Sequence, residues 1–216
     1  MPTKKQGLFQ RLFGQPRPEA METDADTLAT GNTYDYGVLL ELAQILTSGN
    51  ERAASEMGLL AESVGAFVAA RRDWCAEMDY GDFGADAAER QEETLLIFAY
   101  WLAGYQATGS PAKDPPQFGA YIDWKEETGD IIGLLTAADK NLGYGLELDQ
   151  IKFDGAESTG KALSMIDGFL SAKGLALCTL DTQSDCCHLF VLRGEDHSRL
   201  EQLAERVGFS FYREFD

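Results

Sequence analysis

Leu175-Ala176-Leu177-Cys178-Thr179-Leu180-Asp181 is followed by Thr182-Gln183-Ser184-Asp185 and then by Cys187-His188-Leu189-Phe190-Val191-Leu192. Two short apolar runs flank four turn-forming polar residues, which predicts a β-hairpin. Upstream, Leu163, Ile166, Phe169 and Leu170 recur at helical spacing over residues 157–173, and Gly174 closes that helix. Downstream, Leu200, Leu203, Ala204 and Val207 mark a helix over 195–207, and Phe209, Phe211 and Phe215 alternate with Ser210, Tyr212 and Glu214 as a last strand. Farther upstream, residues 144–153 alternate Leu146 and Leu148 with Glu147 and Asp149, then shift phase to Ile151 and Phe153, which predicts a strand with a bulge. The order from Tyr144 is then βαββαβ, a ferredoxin-like antiparallel sheet with both helices on one face. Ala120 to Trp124 looks extended, and Ile131, Ile132, Leu134, Leu135 and Ala138 form the apolar side of a helix ended by Gly143.

The front half is helical. Val38, Leu39, Leu42, Ile45 and Leu46 share a face up to Ser48-Gly49-Asn50. Met57, Leu60, Ala61, Val64, Phe67, Val68 and Cys75 predict a second helix from Glu51 into the high seventies, with Arg71 and Arg72 near its negative end. Leu95 to Leu102 is apolar on nearly every side, as in a central buried helix. Its aromatics suggest that the two halves pack together. The Pro-containing stretch Thr108–Gln117 punctuates the chain. The expected class is α+β: an arm and linker over 1–32, a helical subdomain over 33–117, and a ferredoxin-like subdomain over 118–216.

The chain has 216 residues, 44% of them apolar and 25% charged, enough to bury a core without disulfide or metal staples. Four cysteines do not make a disulfide scaffold. No apolar run approaches the roughly 20 residues of a membrane span. The formal net charge is −18. Residues 1–18 hold Lys4, Lys5, Arg11 and Arg17 and no acid, so the other 14 basic residues face all 36 acids, a formal −22 on the body. Such a body argues against nucleic acid, whose binding needs Lys and Arg on the phosphates. It should instead be steered toward a basic protein partner.

In the arm, Leu8, Phe9, Leu12 and Phe13 share a helical face beside Lys5 and Arg11. That pattern suits peripheral contact of residues 4–14 with an anionic inner-membrane surface, where each cation contributes about 1 kcal/mol. Full-length chain and a chain lacking residues 1–32 should therefore partition differently onto anionic vesicles. Identical partitioning would rule the tether out. The expected location is cytoplasmic.

Three segments offer chemistry. Gly155-Ala156-Glu157-Ser158-Thr159-Gly160-Lys161-Ala162 nearly matches a phosphate-binding loop, with Gly155, Gly160 and Lys161 as its candidate residues. However, Ala162 lacks the magnesium-binding hydroxyl, Asp154 and Glu157 crowd the phosphate position, and Ser158 or Thr159 suffices as a helix cap. The turn from Asp181 to His188 gathers two carboxylates, two thiols and an imidazole, making Asp181, Asp185 and His188 the candidate catalytic residues. Adjacent Cys186 and Cys187 point to opposite strand faces and chelate zinc poorly, and His188 is a neighbour of the thiols rather than a facing base. The loop with Asp79, Asp82 and Asp86 lacks calcium-loop spacing, and Asp86 with Glu89 reads as a capping box. No metal or cofactor is expected.

Asp123-Trp124-Lys125, Leu180-Asp181-Thr182-Gln183-Ser184-Asp185 and Leu189-Phe190-Val191-Leu192 together resemble an uncharacterised bacterial family, one of the domains of unknown function, over residues 118–216. The resemblance implies a bacterial cytoplasmic protein and carries over no catalytic residue. Its most distinctive segment is the Asp181–Asp185 turn. The leading functional expectation is a non-enzymatic acidic binding module, regulatory or immunity-like. The rival is a hydrolase or nucleotide-binding enzyme at Asp181, Asp185 and His188 or at Gly155–Lys161. Partner identity and oligomeric state are left open.

Overall fold

A computed structural model describes residues 34–80, 87–155 and 157–215. The basic arm with Leu8, Phe9, Leu12 and Phe13, the Asp82–Asp86 stretch with its expected cap, and Ala156 lie outside the described residues. The described elements are α1 Leu39–Leu46, α2 Glu51–Glu62, α3 Val64–Ala70, α4 Arg72–Glu77, α5 Ala87–Ala103, β1 Gly119–Asp123, α6 Thr128–Leu142, α7 Thr159–Ser171, β2 Leu175–Leu180, β3 Cys186–Arg193, α8 His197–Arg206 and β4 Phe211–Tyr212. The class is α+β with a four-stranded antiparallel sheet. Among the described residues no helix is long and apolar enough to cross a membrane.

The expected second helix is three. Ser63 turns extended and its Oγ accepts the Ala66 amide at 3.0 Å, so a cap sits inside the apolar stripe and starts α3. Arg71 (φ −123°, ψ 36°) also leaves helical geometry before α4, there without a side-chain cap.

The expected strand over 144–153 is not a strand. Asp139, near the end of α6, accepts the amides of Tyr144, Gly145 and Leu146. Gly145 and Glu147 take positive φ, and Leu148–Gln150 is a 3-10 turn. Leu146 and Leu148 are buried because the loop is pinned there, so the alternation reflects loop burial rather than pleating. The sheet's first strand is instead β1, and its order is β1-β3-β2-β4.

That order differs from the ferredoxin-like one expected from Tyr144. The last strand pairs with β2, at the edge opposite β1, with Leu180 beside Phe211. Both crossovers, β1 to β2 and β3 to β4, skip one strand in the same direction while their strands run oppositely. Right-handed connections therefore place α8 on the face opposite α6 and α7. α8 packs against α1, and Phe98 of α5 meets Phe209 at 5.3 Å.

The sheet is covered on both faces. α5 lies on β1 and β3, while α6 and α7 pack on β1 and β2. In β3, Leu189 and Val191 face one way and His188, Phe190 and Leu192 the other, and all five are buried. One apolar cluster runs from Val38 to Phe211. Two glycines permit close approaches. A Cβ on Gly119 would lie 2.5 Å from the Leu189 carbonyl, and one on Gly104 (φ +80°) would lie 2.4 Å from the Gln117 Cα.

Candidate functional site

The β1–β3 register sets Asp123 opposite Cys186. It therefore brings the Asp123-Trp124-Lys125 segment and the Asp181–Asp185 turn to one end of the sheet, although they are some sixty residues apart in sequence. The turn is locally organised. Asp181 Oδ1 accepts the Gln183 amide at 2.8 Å, Gln183 takes a φ of 53°, and the Thr182 and Ser184 hydroxyls are 2.8 Å apart. Asp123 Oδ1 accepts the Lys125 amide at 2.9 Å and so holds the neighbouring bend.

That bend presents Trp124, which is 56% exposed. The Lys125 ammonium sits 4.1 Å from the centre of its ring. An indole outside the core with a cation on its face is a ready receptor for ammonium or guanidinium groups. At the same end of the sheet Asp123 and Asp185 both push the Cys186 thiol pKa up, after burial as the larger cause. Asp185 is exposed and Asp181 half-buried.

His188 parts company with the two aspartates. It is 0% exposed and faces α5, with its ring 4.5 Å from Tyr100 and 5.3 Å from Tyr121. Burial alone depresses its pKa to about 3. A partnering carboxylate would raise it, so the geometry is not an Asp–His pair. Tyr121 and Cys186 are joined by a 3.0 Å hydroxyl–thiol contact. Burial pushes Tyr100 up to about 12, and Tyr121, hydrogen-bonded to it, upward as well. Cys187 is also shifted upward, chiefly by burial. Protonated thiols and a buried neutral imidazole make a weak nucleophile and a weak general base. Among the described residues no group of three or more His, Cys, Asp or Glu side chains could hold a metal ion.

The Gly155–Lys161 loop opens α7, as expected, but follows a pinned coil rather than a strand. Ser158 Oγ accepts the Lys161 amide at 3.3 Å and caps the helix. The Glu157 carboxylate accepts the amides of Asp154 at 2.7 Å and Gly155 at 2.9 Å. Two donors that could face a phosphate already hold a carboxylate of the same chain. Lys161 points to solvent, and Gly160 lies in the first turn of α7.

The larger grooves lie elsewhere. One of about 550 Å³ is lined by Tyr144, Lys173 and Arg193 among others, and a neighbouring one of about 360 Å³ shares Tyr144 and Arg193 and adds Glu41 and Arg199. A smaller cleft collects Arg52, Arg71, Arg72 and Lys113. Sequence reasoning missed this basic cleft, because its residues span sixty positions and Arg71-Arg72 read as a helix-end pair. It also did not single out Trp124, whose exposure no local pattern announces.

No curated protein and no solved structure matches the chain. A family model described as a domain of unknown function, DUF6630, matches residues 38–215, through the helical half as well as the sheet. The chain is a member of the DUF6630 family of domains of unknown function.

Proposed function

We propose that this chain is a non-enzymatic protein-binding module that takes a basic segment of its partner against Trp124. The observation that carries this reading is the exposed Trp124, next to Asp123 at the end of the sheet where Asp123 pairs with Cys186 and the Asp181–Asp185 turn leads into β3. Exposed Trp residues are frequent anchors of binding energy, and truncating such an anchor costs about 2 kcal/mol or more. The acidic body adds steering: a formal −22 outside the arm speeds encounter with a basic surface and repels acidic ones. Lys125 over the ring occupies the position that an incoming Lys or Arg would take. The four cysteines are free thiols, which suits a reducing, cytoplasmic setting.

The test places a photo-crosslinking amino acid at position 124 of the full chain in its host cells. A discrete adduct with one basic protein is expected, lost on Asp123→Asn/Asp185→Asn and absent when the crosslinker sits at the exposed Lys140. With the purified pair, Trp124→Ala should weaken binding at least tenfold and leave the melting temperature nearly unchanged, because Trp124 is outside the core. Equal adducts from positions 124 and 140, or insensitivity to the aspartate changes, would refute the reading.

A further inference from the structure

On an acidic body, one cleft carries the opposite sign. Arg52, Arg71, Arg72 and Lys113 line a cleft of about 210 Å³ where α2, the α3–α4 junction and the loop before β1 meet. These are four of the fourteen cations outside the basic arm. The acids paired with them are Asp73, which lines the cleft, and Glu56, which is 3% exposed and lies behind it. The cleft therefore holds two more cations than carboxylates.

Two of its cations, Arg52 and Arg71, are held in place by one carboxylate. Glu56 Oε1 accepts from Arg52 Nε at 3.1 Å and from Arg71 Nη2, while Glu56 Oε2 accepts the Trp101 indole N–H at 2.6 Å. Arg71 also donates through Nη1 to the Ala70 carbonyl at 3.2 Å, and its guanidinium lies 5.5 Å from the centre of the Trp101 ring. A buried carboxylate thus fixes two guanidiniums from behind. The Arg52 side chain stays 56% exposed and that of Arg71 31% exposed. Lys113 pairs with Asp73 at 2.8 Å, both at the surface, beside exposed Arg72. Guanidiniums held by packing lose little freedom when they bind an oxyanion, and their fork suits phosphoryl oxygens.

We propose that this cleft is a binding site for a small phosphoryl dianion: inorganic phosphate or the phosphate group of a small monoester. The class follows from charge and size. The volume is below the roughly 300 Å³ of sites that enclose drug-sized ligands, and two excess cations match a dianion. The site is independent of Trp124, which lies at the end of the sheet. Global repulsion from the acidic body does not forbid it, because charges beyond about 8 Å are screened at physiological salt.

The full chain is titrated with inorganic phosphate and separately with glycerol 3-phosphate, at constant ionic strength held with sodium chloride, by calorimetry and by phosphorus NMR linewidth. Saturable binding of one equivalent is expected. Arg72→Gln and Lys113→Gln, both exposed and outside the core, should each weaken it at least fivefold. Asp73→Asn should strengthen it about threefold, a gain that a damaged fold cannot produce. Binding of inorganic phosphate but not of the monoester assigns the site to the free anion, and binding of both assigns it to phosphoryl groups generally. Absence of saturable binding by either probe, or affinities unchanged in all three variants, would overturn the site.

Discussion

Glu56→Ala is expected to lower the free energy of unfolding by about 3–5 kcal/mol in urea denaturation followed by tryptophan fluorescence. Glu56 sits on α2 at 3% exposure. It joins α2 to α5 through the Trp101 indole, and to the α3–α4 junction through Arg71. Trp101 in turn stacks edge-on with Phe67 at 5.2 Å and with Trp74 at 5.0 Å, so the carboxylate anchors the aromatic centre of the helical half. Truncation leaves the indole N–H and a partly buried guanidinium without their acceptor, in addition to a cavity. Domains of this size are stable by only about 5–15 kcal/mol, so the loss is a large share of the whole. Glu56→Gln keeps an acceptor without the charge and should cost roughly half as much. Arg52→Ala removes only a mostly exposed partner and should cost no more than about 1 kcal/mol. A Glu56→Ala loss under 1 kcal/mol would mean that the bonds from Glu56 to Arg71 and Trp101 contribute nothing to the fold.

The second large effect is on acid stability. His188 is fully buried, and burial depresses its pKa from 6.5 to about 3 in the folded chain. Neither ring nitrogen has a hydrogen-bond partner among the described residues. Between pH 6.5 and about 3 the unfolded chain binds a proton at this imidazole that the folded chain refuses. The unfolded state therefore gains as pH falls through that window. The stability is fully present above 6.5 and is lost toward 3, by up to about 1.4 kcal/mol per pH unit and on the order of 5 kcal/mol in all. Other carboxylates also titrate in the lower half of the window, so the quantity to measure is the difference between wild type and His188→Phe. The variant should lack this slope between pH 6.5 and 5, and at pH 7 it should be as stable as wild type or slightly more so, because two orphaned polar atoms leave the core. An unchanged acid slope in His188→Phe would place the imidazole in solvent contact and refute its structural role. The same variant separates the binding-module reading from a hydrolytic one. Crosslinking from position 124 should survive it, whereas a general base at this position could not be replaced by a phenyl ring.

The hairpin was readable because both its signals are local: apolar runs of strand length and a turn rich in Asp, Ser and Thr between them. α6 and α7 were readable for the same reason, with Gly143 in left-handed geometry closing the first and Ser158 capping the second. Residues 144–153 show where periodicity misleads. Alternate burial there comes from Asp139 gripping three successive amides, a contact that mimics the period of a strand without its hydrogen bonds. The break at Ser63 was hidden because the apolar stripe continues across it, and only the Ser63 Oγ contact with the Ala66 amide records the cap.

The candidate sites divide along the same line. The Asp181–Asp185 turn was legible as a segment, because its hydrogen bonds lie within four residues. That Trp124 stands beside it depends on the pairing of Asp123 with Cys186. That His188 leaves the group depends on strand phase and on α5 covering that face. The Glu56 contacts and the basic cleft were invisible, since Glu56, Arg71, Trp101 and Lys113 look like four ordinary residues until the helices pack.

The class, the hairpin, the helical front half and the acidic body follow from the residues read in order, because propensity, periodicity and charge are summed residue by residue. Which strand opens the sheet, which edge receives β4 and which side chains share a cleft emerge when the elements pack. Those outcomes turn on contacts between distant segments, whose energies depend on packing and desolvation rather than on the identity of any one residue.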